Sequence, residues 1–218
     1  MAGILKDKII KSLQENLIIY LLIPVIFAAG IFIGIMGANN LDDRQIQDLL
    51  GFVDGFINNL PTATIDAPSE TKYALILNLK SLCYIWFLGL TVIGIPLTIA
   101  IIFYRGFVLG FTTGFLVQEK ALQGIWVILL TVVPQNLLLV PVLLLGAITS
   151  ISFSLFVIRG KFAGKTLHLS KRLLSYTFSF MILGLFVVLS AFVQGYISPS
   201  LVKAVFYFTT GYGLFLVL

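Results

Sequence analysis

Residues 104–115 read YRGFVLGFTTGF, with glycines at 106, 110 and 114 directly after Arg105. Positions four apart nearly superimpose on an α-helix, so Gly106, Gly110 and Gly114 form one stripe without side chains. Such a stripe lets a second helix approach backbone to backbone. Inside a bilayer that contact is valuable, because lipid supplies no hydrophobic drive between helices and close van der Waals packing must hold them. The stretch predicts a tightly packed helix in a membrane, if the surrounding chain is a membrane chain.

The composition says that it is. The 218 residues are 59% hydrophobic and 11% charged, with a mean hydropathy of +1.08. A soluble domain could not solvate that surface. In lipid every backbone polar group must be paired, which leaves helices or a closed barrel. The apolar runs extend for about 20 residues, the length a spanning helix needs, and show no period-two alternation, so helices are expected. The expected fold is all-α: a polytopic transmembrane helix bundle forming a single integral membrane domain over 1–218. It has five membrane segments, with a sixth left open.

The spacing of Gly106 recurs at Gly30 and Gly34, with Ala29 and Gly37 nearby. The two stripes could face each other within one chain or meet a second copy in a homodimer, and a flexible hinge is a further reading. Before them, residues 1–16 carry Lys6, Lys8 and Lys11, with Ile9, Leu13 and Leu17 at four-residue spacing. This predicts a short amphipathic helix on the cytoplasmic membrane surface. The apolar run Leu17 to Met36 is too long for the core of a signal peptide and reads as an uncleaved first span.

Residues 38–80 form the one long polar stretch, with Asp42, Asp43, Asp48, Asp54, Asp66 and Glu70 against Arg44, Lys72 and Lys80. Within it, Ile46, Leu49, Leu50, Val53 and Phe56 share a helical face, as do Ile57 and Leu60. Asn39 or Asn40 is the expected cap. Pro61 and Pro68 suggest an extended return. An extracytoplasmic loop with an amphipathic helix follows, and that helix could rest on membrane lipid or dock a partner.

Residues 81–104 read as a second span kinked at Gly94 and Pro96, which places Arg105 near the cytoplasmic interface. A buried Arg105, set against backbone carbonyls near the next break, is the alternative. Glu119 and Lys120 mark a polar break. Gly124 to Ile158 is too long for one upright span and is interrupted by Pro134, Gln135, Asn136 and Pro141. It is either one strongly bent helix or two segments meeting at VPQN, where Thr131 or Asn136 could bond the freed carbonyls. RGKFAGKTLHLSKR, 159–172, is basic without an acid and reads as a cytoplasmic loop. Residues 173–197 form another span, and 201–218 a shorter apolar segment.

Catalytic chemistry is hard to build from this set. Cys83 and His168 are the single cysteine and histidine. No nucleophile–base set, thiolate metal site or phosphate-binding Gly–Lys–Ser loop is present, so no enzyme activity, metal or cofactor is expected. A nucleic acid partner is not expected either. A coupled transporter usually carries an acid within its spans, and none is evident here.

RGFVLGFTTGFL, LLTVVPQNLLLVPVLLLG and SISFSLFVIRGKF resemble the stage II sporulation protein M family of endospore-forming bacteria. The IWFLGLTVIGIPLT stretch and the late GYISPSLVK continue the likeness, in order and with matching spacing. The family pattern falls on Gly106, Gly110, Gly114, Pro134, Gln135, Asn136 and Pro141. The resemblance implies a non-catalytic component of the engulfment machinery in the cell membrane. It would anchor two peptidoglycan hydrolases, stage II sporulation proteins D and P, at the septum. On that expectation the partner surface is the 38–80 segment, especially Ile46, Leu49, Leu50, Val53 and Phe56, and the outer ends of the spans. A channel or exporter-like permease using the VPQN break is the alternative. It predicts a wet cavity lined by Arg105, Gln135 and Asn136, where a scaffold predicts a filled interior.

Overall fold

The fold was obtained as a computed structural model, which describes residues 2–59, 67–162, 169–198 and 200–201. It is a bundle of membrane helices. The elements are α1 (Ala2–Ala38), α2 (Asp43–Asn59), α3 (Ala67–Gly89), α4 (Gly94–Val127), a π-helical turn (Ile128–Val132), α5 (Val133–Phe162), α6 (Leu169–Phe192) and a second π-helical turn (Val193–Ile197). Leu17–Ala38, Gly94–Leu122, Gly124–Ile158 and Ser170–Ile197 are long and apolar enough to cross a membrane. Ile18, Phe32, Phe87, Phe178 and Leu185 are among the large apolar side chains left exposed for lipid. Inside, Ile23, Ile85, Ile102, Ala147 and Val187 are fully or almost fully buried.

The glycine stripes fit into each other within the chain. A Cβ at Gly30 would collide with the Phe103 carbonyl, and one at Gly34 with that of Phe107. From the other side, a Cβ at Gly106 would strike the Phe27 carbonyl and one at Gly110 that of Ile31. Gly114 lies against Ile35, where a Cβ would come 3.1 Å from its Cα. Phe27, Ile31 and Ile35 thus pair with Gly106, Gly110 and Gly114 at one fixed offset, so α1 and α4 run parallel. A homodimer through these same grooves would have to part α1 from α4.

Parallel packing decides how often the chain crosses the membrane. Helices that start on the same side need a crossing between them, and α3 is the one available. It carries too much charge and amide to qualify by composition, yet its contacts run the length of the bundle. Leu82 meets Gly146 and Ser150 bonds the Ile85 carbonyl, which sets α3 parallel to α5. Tyr176 bonds the Trp86 carbonyl, and Gly195 lies against Thr71 at the other end, which sets α3 antiparallel to α6. With α3 added to the four apolar spans, the described residues make five crossings.

Several expected boundaries change. The segment 81–104 is two helices: the chain reverses at residues 90–93, where Thr91 N–H bonds Leu88 O at 3.0 Å and Gly94 N–H bonds the Thr91 hydroxyl at 3.1 Å. Gly94 is therefore part of a tight turn that admits no Cβ, which the sequence shows only as a glycine in an apolar run. Residues 67–80 are helical, because Pro68 stands in the first turn of α3, where its missing N–H is not needed. Pro61 lies outside the described residues. α1 continues unbroken through the first sixteen residues, with no separate surface helix. The basic stretch 159–172 is largely helix: 159–162 close α5 and 169–172 open α6, with Arg172 4.4 Å from the Phe156 ring centroid. Residues 163–168, including His168, and 202–218 lie outside the described residues.

A second reversal occurs at Ala121 (φ 44°, ψ −121°), just after Glu119 and Lys120, with Gly124 seated against the Leu116 carbonyl. The run from 124 to 158 is then one helix. Pro134 cannot donate to the carbonyl four residues before it, and the π-helical turn just ahead absorbs the misfit. Thr131 Oγ1 bonds Val127 O at 2.6 Å and Asn136 Nδ2 bonds Val132 O at 2.8 Å.

Two outcomes test this arrangement. With Cys83 changed to Ser, single cysteines at Phe52 and at Val92 should react with a membrane-impermeant maleimide from opposite sides; labelling from one side would remove α3 as a crossing. Gly34→Ala and Gly110→Ala force atoms into backbone and should each cost about 1–3 kcal/mol, the usual range for overpacking, read as a lower unfolding temperature in detergent. Gly184→Ala, with open space around it, should change little.

Candidate functional site

Two places in the bundle have chemistry beyond packing. The first is α2. At its start Gln45 Oε1 accepts the Asp42 N–H at 3.0 Å, half of a capping box. Asn40 instead bonds back to Met36 O at 2.7 Å and closes α1. The cap therefore lies two or three residues later than the asparagines suggest, because they are taken by the preceding helix. Asp54 forms an ion pair with Lys120 at the far end of the α4 limb, which ties α2 to that end of the bundle.

The face expected to meet a partner is not free. Ile46, Leu49, Leu50 and Val53 are all half-buried. The side chain of Phe56 lies outside those described. The exposed apolar group on α2 is Phe52, at 80%. It stands on the flank of the apolar face, and helical periodicity alone gave it no special place.

The second place is a cavity of about 580 Å³ between α1, α3, α4 and α5. Arg105, Ser81, Asn78, Gln135 and Asn136 line it, together with Lys80. Arg105 is about 16 Å along α4 from Gly94 at 1.5 Å per residue, beside the middle of span one through the Gly106–Phe27 contact. It is deep in the membrane, and the interfacial placement inferred from the sequence does not hold. That inference took the inner turn to be at 105, when the turn lies at 90–93. Arg105 donates to Ser81 Oγ across from α3. No carboxylate lines the cavity among the described residues.

Gln135 and Asn136 have divided roles. Asn136 repairs its own helix, as described above. The Gln135 carbonyl accepts from Ser190 Oγ at 3.0 Å and so joins α5 to α6, while its side-chain oxygen is buried without a partner. Pro141 is exposed on α5. The interior is therefore not filled at this level, which is the feature expected of the permease alternative. The half toward the 90–93 turn is closed more tightly. Ser150 bonds Ile85 O at 3.0 Å, Tyr176 bonds Trp86 O at 2.6 Å and Ser154 bonds Thr91 O at 2.8 Å. Each of these hydroxyls bonds a backbone carbonyl of α3 or of the turn that follows it. Among the described residues, no three of His, Cys, Asp and Glu come together as metal ligands would.

No curated protein and no solved structure matches the chain. A family model does match, over residues 23–199, which takes in both glycine stripes, α2, the cavity and the VPQN segment. The chain is a sporulation-related membrane protein and belongs to the family described as stage II sporulation protein M.

Proposed function

We propose that this protein is a non-catalytic scaffold of the engulfment machinery. It holds α2 on the outer face of the cell membrane as a dock for peptidoglycan hydrolases resembling stage II sporulation proteins D and P. The observation that carries this is the mounting of α2. The helix is pinned by Asp54–Lys120, its apolar face is half-buried, and Phe52 is left standing in solvent or at the lipid surface. An aromatic residue on a fixed support is a good anchor, because little ordering entropy opposes its burial. Family membership supports the sporulation setting, and the basic ends of α5 and α6 support an inner placement for that turn.

Phe52→Ser is the direct test. Phe52 is exposed, so helicity and unfolding temperature should stay as in the wild type. Retention of a co-expressed hydrolase of the protein P type in mild detergent should fall about tenfold or more, as for an interface hot spot. Full retention would move the dock to the ends of the spans. The cavity favours a second reading, a permease. Purified protein in liposomes should pass no anion faster than empty vesicles do if the scaffold reading holds. A leak that Arg105→Gln abolishes would establish the permease instead.

A further inference from the structure

The scaffold reading gives no role to the cavity. A guanidinium at mid-membrane is costly and needs a partner. Arg105 has five N–H donors, and Ser81 is its one hydrogen-bonding partner among the described residues. A second cation, Lys80, lies on the same wall, 5.8 Å from the Tyr84 ring centroid. Neither meets a carboxylate in the cavity. The site is thus positive, and the acceptors around it are neutral amides and a hydroxyl.

Much of the remaining wall is apolar, formed by side chains such as Leu109, Leu139 and Leu143. The cavity opens sideways, since Lys80, Tyr84 and Tyr104 both line it and are exposed on the outside of the bundle. That mouth faces lipid between α3 and α4. A cavity of this volume is large enough to bury a whole small ligand. A polar cationic end, apolar walls and a lateral mouth together define the occupant.

We infer that this cavity binds an anionic amphiphile, with a phosphate head on Arg105 and Ser81 and an aliphatic chain along the α4–α5 wall. The phosphate chemistry could be met by a lipid or by free phosphate, and the lateral mouth favours the lipid. The inference does not depend on α2 or on any hydrolase, so it can stand or fall apart from the scaffold proposal.

The test is thermal unfolding of the full chain in a neutral maltoside detergent, titrated separately with dodecyl phosphate and inorganic phosphate. Dodecyl phosphate should raise the unfolding temperature of the wild type by ligand linkage. Arg105→Gln should weaken its binding about tenfold or more, since a charge-assisted bond is lost. Lys72→Gln, a cation on α3 outside the cavity, should bind as the wild type does. Equal protection by inorganic phosphate, lost in Arg105→Gln, keeps the site and assigns it to the free anion. No protection by either probe, or protection unchanged in Arg105→Gln, overturns the proposal. If Arg105→Gln does not fold, Lys80→Gln at the exposed mouth must weaken dodecyl phosphate binding severalfold, and unchanged binding again overturns it.

Discussion

The bundle depends on the contact of two bare backbone surfaces. Gly30 and Gly34 on α1 and Gly106, Gly110 and Gly114 on α4 remove every Cβ between the helices, so carbonyl oxygens of one face nearly touch the other. Neither helix can slide by one residue without placing a side chain where none fits. That fixes register, direction and distance together. Lipid would not select among these, because a leucine face packs about as well on a lipid tail as on a protein. The parallel direction is the part with wide consequences. It forces α3 through the membrane, and α3 brings Asn78, Lys80 and Ser81 with it. The polar cavity is the result of that imposed crossing.

α4 connects the features assigned to function. Its glycine face holds α1, Arg105 reaches the cavity, and Lys120 holds α2 at the end. Around this helix the bundle uses small hydroxyls in place of large polar groups. Ser150, Ser154 and Ser190 are almost fully buried, and each bonds a carbonyl on another segment. A serine adds little volume and satisfies its own hydroxyl in doing so, which suits a close helix interface in hydrocarbon. Ser150 and Ser154 lock the half toward the 90–93 turn, while the level of Arg105 keeps its cavity.

Much of this was legible in the sequence, and the misses have a common cause. The helical membrane class, the glycine stripes and the amphipathic α2 follow from spacing, which is local. The family resemblance follows from order and motif and agrees with the family match. The turn at 90–93 is hidden because Leu-Thr-Val-Ile carries no charge; the Thr91 hydroxyl makes the turn by bonding Leu88 O and accepting the Gly94 N–H. α3 reads as half loop because its lysines and asparagine look like solvent-facing residues, when a cavity inside the bundle accepts some of them. Arg105 was misplaced by the same error in turn position. Phe52 escaped notice because periodicity names the face of a helix and says nothing about which side of that face the bundle covers.

The parallel pairing also sets an order of assembly. α1 enters the membrane long before its partner, with all of α2 and α3 made between them. Until α4 is inserted, the α1 glycine stripe has no surface to meet, and α1 must wait in lipid as a lone span. α3 faces the harder wait, since Asn78 enters hydrocarbon before Gln135 and the α5 wall exist to shield it. The nascent chain therefore passes through a stage where its most polar crossing is its least protected. Insertion of α5 and α6, which both pack on α3, ends that stage.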